Sequence, residues 1–363
     1  MMRVVHLIPN LSAGGAERFV VDLLNSLSKS GYSCHLILFN PEGNFFISEL
    51  EPSVTVYYIH KRSGYDFTVP FRLRYIINQI KPDVVHSHLS AFNYLGLSFL
   101  LNRSVKYFHT IHSLPKKEYK SKLGRLLRIL FFKVFQRSTP ISISQSVHDE
   151  ARLIYGKNVQ LIFNGREAPV LSKENIKILE RFSNYRYEGY KIITNIGSFK
   201  RAKNQSQLIR AVTKLNRDGY KVKLIIVGGD LNSNEFLNLK ELSDNNVVFV
   251  GPVTNPQDYI YHSDFFILPS LWEGMPISLI EAFALGKVSI CNNVGGMANM
   301  IKDGFNGFLI RGDGETKIRE ALLKVFSIPY SKLSQVSKIA ESEYHDKYSM
   351  EICLNNHLKS YGK

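Results

Sequence analysis

The chain has 363 residues, 44% of them hydrophobic and 21% charged, with a net charge of +15. It is long enough for two domains of ordinary size, and no apolar run approaches the length of a membrane span. Cys34, Cys291 and Cys353 are far apart and odd in number, which excludes a disulfide framework or a zinc spacing and fits a reducing compartment.

Met1 to Pro9 is too short and too soon broken for a signal peptide and reads as a first strand, near residues 3–9. Further strand-like runs follow near 33–39, 54–59, 83–87, 105–110, 139–143 and 159–162. Between the first two, Phe19, Val20, Leu23, Leu24 and Leu27 recur with helical spacing from Glu17 to Ser30, and Gly31 is the stop. The turn into that helix carries Gly14-Gly15. Adjacent glycines let backbone N–H groups approach an anion at a helix N-terminus; by itself the pair also fits a plain turn. It is neither a Walker loop nor the dinucleotide fingerprint. His86, His88, His109 and His112 lie at strand ends. One of them is expected to hydrogen-bond a substrate and the others to be satisfied in the core. No metal site is expected from their spacing.

Positive charge is uneven. Residues 1–166 carry 21 Lys/Arg against 10 Asp/Glu, and the segment 116–137 carries 8 against Glu118 alone. Leu123, Leu126, Phe131, Phe132 and Phe135 interleave with those cations. The pattern predicts either a helix lying on anionic lipid or a packed helix with a solvated basic edge. No recognition motif or aromatic stacking platform points to nucleic acid. Residues 166–190 are polar and without strands. They predict a first domain of 1–168, a linker at 169–190 and a second domain of 191–343.

The second half repeats the alternation. Strands are expected at 192–197, 222–227, 246–250, 264–268 and 288–290, and helices near 204–217 and 276–285. A last helix, 344–363, is expected to rejoin the first domain. The whole is α/β, with two Rossmann-like doubly wound domains facing across a cleft. Gly197 to Asn204 places Lys200, Arg201 and Lys203 just past a strand end, which suits a diphosphate, although by itself the run fits a solvated turn better. Glu273 follows the strand at 264–268 on a loop. Pro276 opens the next helix, and Glu281 stands about two turns into it. Loops at the carboxyl ends of parallel strands are the ligand-binding end of open α/β sheets. Two carboxylates at two depths suit a sugar joined to a ribose.

Taken together, these residues resemble a known family. Gly14-Gly15, Asp83 to His88, His112, Asn164-Gly165, Gly197 to Asn204, Pro269-Ser270, Glu273 to Glu281, Gly295-Gly296 and Asn306-Gly307-Phe308 stand in the order seen in retaining GT-B glycosyltransferases of the "glycosyl transferases group 1", family 4-like type. The resemblance covers nearly the whole chain and is densest from residue 246 to 310.

The resemblance implies that a nucleoside diphosphate sugar, by default a UDP-sugar, binds the second domain. Glu281 would hold the ribose, Glu273 the transferred sugar, and Lys203 with Arg201 the diphosphate. Gly274, Met275 and Pro276 would add backbone contacts, Gly14 and Gly15 would close on the diphosphate, and His112 would touch the sugar or acceptor. Glu273, His112 and Lys203 are the expected catalytic residues, and no cofactor or metal is required. The expected reaction moves a hexose or N-acetylhexosamine, with retention, to a lipid-linked glycan in surface polysaccharide assembly. The enzyme would be cytoplasmic and peripheral at the inner membrane face through 116–137. A nucleotide-sugar epimerase and an inactive sugar-nucleotide-binding protein are the alternatives. Two positions depart from the family pattern. Ser198 stands where relatives carry Arg, and Ala298 and Asn299 stand where they carry Glu.

Overall fold

The structure, a computed structural model, describes residues 1–64, 66–118 and 122–362. The chain divides into two units, Met1–Glu167 with Met350–Lys363, and Ala168–Ser349. In each, apolar runs form parallel strands, and amphipathic stretches form the crossover helices that parallel strands need.

The strands described in the first unit are β1 (Arg3–Leu7), β2 (Ser33–Leu38), β3 (Thr55–Tyr58), β4 (Val84–His88), β5 (Lys106–Ile111), β6 (Thr139–Ser142) and β7 (Gln160–Leu161). Their spatial order is β3-β2-β1-β4-β5-β6-β7. The order reverses between β1 and β4, which pair in parallel with His6 opposite His86. That reversal is the place where doubly wound sheets bind ligands. The helix Gly15–Lys29 buries Phe19, Val20, Leu23, Leu24 and Leu27, as its spacing predicts. Gly31 ends it at φ +83°.

The second unit repeats the plan with β8 (Lys191–Ile196), β9 (Val222–Val227), β10 (Val247–Gly251), β11 (Phe265–Leu268), β12 (Ser289–Asn292) and β13 (Phe308–Ile310). They are ordered β10-β9-β8-β11-β12-β13, and the reversal falls between β8 and β11. Alternate residues feed the two faces of this sheet. Ile193, Leu224 and Ile226 pack into one core cluster; Ile192, Ile225 and Val227 pack into another with Ile178 and Phe182.

That second cluster corrects the linker expectation. Residues 169–190 contain the helix Asn175–Tyr187, whose Ile178 and Phe182, one turn apart, cover a sheet face. Ile178, Phe182 and Tyr185 do recur at helical spacing, but the exposed Ile176 and Leu179 beside them blur the stripe.

The C-terminal segment is broken at Ser349, whose backbone is extended, and resumes as the helix Met350–Tyr361. This helix belongs to the first unit and packs on Gly15–Lys29. The Met350 N–H donates to Arg166 O at 3.0 Å, and Lys106 Nζ donates to Tyr361 O at 3.0 Å. Beneath it, Arg166 pairs with the buried Asp22 carboxylate at 2.8 Å.

Candidate active site

In the second unit, the loops leaving β8 and β11 carry the predicted cation and acids. They meet because β8 and β11 are neighbours at the reversal of strand order. Lys203 Nζ donates to Glu273 Oε1 at 2.6 Å. The Lys203 stem lies against Gly197, where an added Cβ would come within 3.1 Å of it. The Leu271 N–H donates to Ala202 O at 2.7 Å, so the two loops are also joined by backbone.

Pro276 stands immediately before the helix Ile277–Ala284, as its missing N–H favours. Gly274, Met275 and Pro276 are buried at the turn into that helix. Glu281 lies within it, only 3% exposed. Gly286, at φ +56°, ends it. Arg201 sits apart from this group. It is exposed and lines a cavity of about 510 Å³ together with Phe199, Lys200, Gln207, Glu235 and Asp313, whereas neither Lys203 nor Glu273 lines that cavity.

Sequence reasoning missed the residues that hold these loops. Asn204 Nδ2 donates to Pro269 O at 3.1 Å. Asn292 Nδ2 donates to Pro269 O at 3.3 Å and to Ser270 O at 3.2 Å, and Asn195 Nδ2 donates to Ile267 O at 2.8 Å. Buried carbonyls at a strand end need such donors. The Gly295-Gly296 pair is a packing device. The Gly296 N–H donates to Glu273 O at 3.1 Å, and an added Cβ at either glycine would fall about 2 Å from a carbonyl of the Glu273-Gly274 loop. Asn306 is likewise structural: its Nδ2 donates to Met300 O at 2.8 Å and to Glu343 Oε2 at 2.6 Å.

In the first unit, the Gly14-Gly15 turn opens the helix Gly15–Lys29 after β1. The Glu17 carboxylate folds back over it and accepts from Ser12 Oγ at 3.1 Å. Glu17 Oε2 would lie 2.3 Å from a Cβ at Gly14, so the turn is closed over by its own acid.

The histidines converge. Strand alternation puts His86 and His88 on one face of β4, and register puts His6 beside them. Phe19 meets His88, His112 and His357 edge-on or tilted at centroid distances of 5.7–6.3 Å. His6 Nδ1 and His88 Nε2 are 2.9 Å apart, and His88 Nδ1 and His112 Nε2 are 3.0 Å apart. His86 bonds Tyr361 Oη at 2.6 Å and Thr110 Oγ1 at 2.7 Å, the satisfied core position expected of it. Burial drives these imidazoles toward the neutral form. It lowers His6 to about 3, His112 and His357 to about 4, and His86 and His88 well below the usual value. His109 points to the other face, between Ser87 Oγ at 3.0 Å and the buried Glu118 carboxylate at 3.5 Å.

Ligand atoms of His6, His86 and His88 lie within 4.8 Å of one another. As a metal centre the group fits poorly. His6 and His86 both stack on His88, at 14° and 25° between planes. Imidazole lone pairs lie in the ring plane, so stacked rings do not aim at one point. Most of these nitrogens are already hydrogen-bonded to protein.

The basic segment 116–137 divides. Residues 119–121 lie outside the described residues. In the helix Lys122–Ile129, Arg128 is buried, contrary to a solvated basic edge. Its guanidinium donates to Asn93 Oδ1 at 3.1 Å and to Leu89 O at 3.2 Å. The local sequence cannot reveal that it fills a gap over Phe92. Leu123, Leu126, Val134 and Phe135 are more than half exposed, while Phe131 and Phe132 are core. No helix of the described residues is long and apolar enough to cross a membrane.

Two family models match this chain: "Glycosyltransferase Family 4" at residues 13–168 and "Glycosyl transferases group 1" at 177–343. The capsular polysaccharide biosynthesis glycosyltransferase CapH of Staphylococcus aureus is 25% identical over 306 residues, 81% of this chain and 82% of its own. An alpha-1,4-N-acetyl-D-galactosaminyltransferase of Campylobacter jejuni, named for a diNAcBac-PP-undecaprenol-linked GalNAc acceptor, is 25% identical over 330 residues, 89% and 88% of the two chains. Neither relative favours an epimerase or an inactive sensor. Among solved structures, Anabaena HepE in complex with UDP and glucose superposes with a TM-score of 0.83 at 16% identity, over 99% of each chain. With both half-chains matched, relatives aligned across more than four-fifths of the molecule, and two doubly wound parallel sheets, the chain belongs to the group 1 glycosyltransferases and has the GT-B fold.

Proposed function

We propose that the enzyme transfers a hexose or N-acetylhexosamine, with retention of anomeric configuration, from a UDP-sugar to a hydroxyl of a lipid-linked glycan in surface polysaccharide assembly. The observation that carries this reading is the meeting of Lys203 and Glu273 at 2.6 Å beside the start of the helix that bears Glu281. Lys203 supplies the charge that stabilises the departing diphosphate, aided by backbone N–H groups near Met275; no metal is required. Glu273, released from Lys203 by that diphosphate, accepts from sugar hydroxyls, and Glu281 accepts from the ribose. In the first domain, His112 and the Gly14-Gly15 turn are the further contacts that the family resemblance assigns. Arg201, at the rim of its own cavity, has the weakest support of the assigned contacts. The relatives' named acceptors support the lipid-linked substrate, and the UDP complex of HepE supports the base.

Glu281→Ala is expected to raise the donor KM by about 1–3 kcal/mol with kcat less affected, as for a lost charged hydrogen bond to ribose. Glu273→Gln is expected to lower kcat by about 100-fold. Calorimetric titration with UDP-, GDP- and ADP-sugars, followed by turnover of the best binder, checks both. Absence of heat with every conjugate, or full turnover by Glu273→Gln, refutes the assignment. Product NMR at the new anomeric carbon tests retention.

The exposed Leu123, Leu126, Val134 and Phe135, flanked by Lys122, Arg125 and Lys133, support peripheral binding at an anionic membrane face, which implies a cytoplasmic enzyme. Co-sedimentation with phosphatidylglycerol vesicles is expected at low salt and should fall as salt rises. A Leu123→Ser/Phe135→Ser double variant is expected to stay in the supernatant. Vesicle binding unchanged in that variant removes the segment from the membrane contact.

A further inference from the structure

We propose that His6, His88 and His112 form a one-way hydrogen-bond chain that holds His112 as the Nδ1–H tautomer and makes it an obligate donor to its ligand. The links are His6 Nδ1 to His88 Nε2, 2.9 Å, and His88 Nδ1 to His112 Nε2, 3.0 Å. A neutral imidazole has one N–H and one acceptor nitrogen, so the two links must run the same way. Two polarities exist. In one, His6 Nδ1–H donates to His88, and His88 Nδ1–H donates to His112 Nε2. In the other, every proton moves to the opposite nitrogen.

The buried end of the chain chooses between them. His6 Nε2 is buried without a hydrogen-bond partner among the described residues. In the second polarity it would be an orphaned N–H; in the first it is an orphaned acceptor. Buried orphan N–H groups are the rarer and costlier case. The first polarity therefore holds, and His112 Nε2 is consumed as an acceptor. Its remaining polar atom is Nδ1, which carries the proton. Burial keeps the ring neutral at physiological pH, so His112 can donate a hydrogen bond there without being a general acid. Backbone supports the arrangement. Leu89, the residue after His88, sits at φ +53°, a costly conformation for leucine, and Arg128 holds its carbonyl at 3.2 Å. His6 and His88 are thus positioning residues, and the ligand atom facing His112 must be an acceptor oxygen, such as a sugar hydroxyl or a phosphate oxygen. That functional meaning rests on the glycosyltransferase assignment; the tautomer does not.

Long-range ¹⁵N–¹H correlation spectra of the full-length chain with ¹⁵N-labelled histidine, assigned with single variants, read the tautomer directly. His112 is expected to show a protonated Nδ1 and a bare Nε2. His6→Asn, whose side-chain amide can donate where Nδ1–H did, is expected to keep this signature. His6→Leu is expected to lose it and to lower kcat roughly tenfold with little change in donor KM. An Nε2–H signature in the unmodified protein, or an unaltered one in His6→Leu, overturns the proposal. If the tautomer and its dependence on His6 appear but no nucleotide sugar binds, the relay stands and the donor assignment falls.

Discussion

Gly296→Ala is expected to lower kcat/KM by about 100-fold and to destabilise the second domain. The local backbone does not explain this. Gly296 lies in the short helix Gly295–Met300 at an ordinary φ, and a helical Gly→Ala change should by itself gain up to about 1 kcal/mol. Tertiary packing reverses the sign. The new Cβ would lie 1.8 Å from the Gly274 carbonyl oxygen and 2.8 Å from its carbon. Both obstacles are backbone, so no side chain can rotate away. The loop carrying Glu273 must move by about 1 Å, a displacement sufficient for a loss on the order of 100-fold when reacting groups are mispositioned. Overpacking of this kind costs about 1–3 kcal/mol. Donor turnover and thermal unfolding of the variant decide the matter. A more stable, fully active Gly296→Ala protein would show that the acidic loop is not held by this contact.

Acid is expected to unfold the first domain well before ordinary acid denaturation. His6, His86, His88, His109, His112 and His357 are all buried and shifted downward, chiefly by desolvation. In the unfolded chain each titrates near 6.5. Below that pH the unfolded state binds protons that the folded state refuses, so stability is complete above about 6.5 and falls with pH. The loss continues until the folded-state values are reached, about 4 for His112 and His357 and about 3 for His6. Each group contributes about 1.4 kcal/mol per pH unit, so His6, His112 and His357 alone lose about 6 kcal/mol between pH 6.5 and 5, a large share of the stability of a domain, and the other three add to it in the same direction. Calorimetry from pH 7.5 to 4.5 should show the first-domain transition fall steeply. The second domain, with only His262 and His345, should move less. A melting temperature level from pH 7 to 5 would contradict the buried, neutral cluster. The His6→Leu variant should be less acid-sensitive than the parent even where it is less active.

How much of this was legible in the residues follows a physical line. Patterns that express local burial could be read directly. The alternation of apolar strands and amphipathic helices announced two doubly wound sheets, and Phe19 to Leu27 announced their helix. Lys203 and the Glu273–Glu281 pair were visible because strand-end loops and a proline-opened helix have chemical signatures along the chain. What stayed hidden depends on non-local pairing. In helix Asn175–Tyr187 the exposed Ile176 and Leu179 mask the stripe of Ile178, Phe182 and Tyr185, which is picked out only by a sheet face formed by Ile192, Ile225 and Val227. Arg128 reads as solvent-facing charge until Leu89 and Asn93 surround it. Nothing along the chain marks Asn204 and Asn292 as loop anchors, because the carbonyls of Pro269 and Ser270 come beside them only in the fold. The histidine chain exists because β1 lies against β4, nearly eighty residues away, and the closeness of Gly296 to Gly274 exists because β11 lies against β12. The sequence by itself determined the elements, the class of fold and the chemical types at the strand ends. Only tertiary structure decided which of those groups touch, because a parallel sheet joins its strands through crossovers and carries no local record of its neighbours.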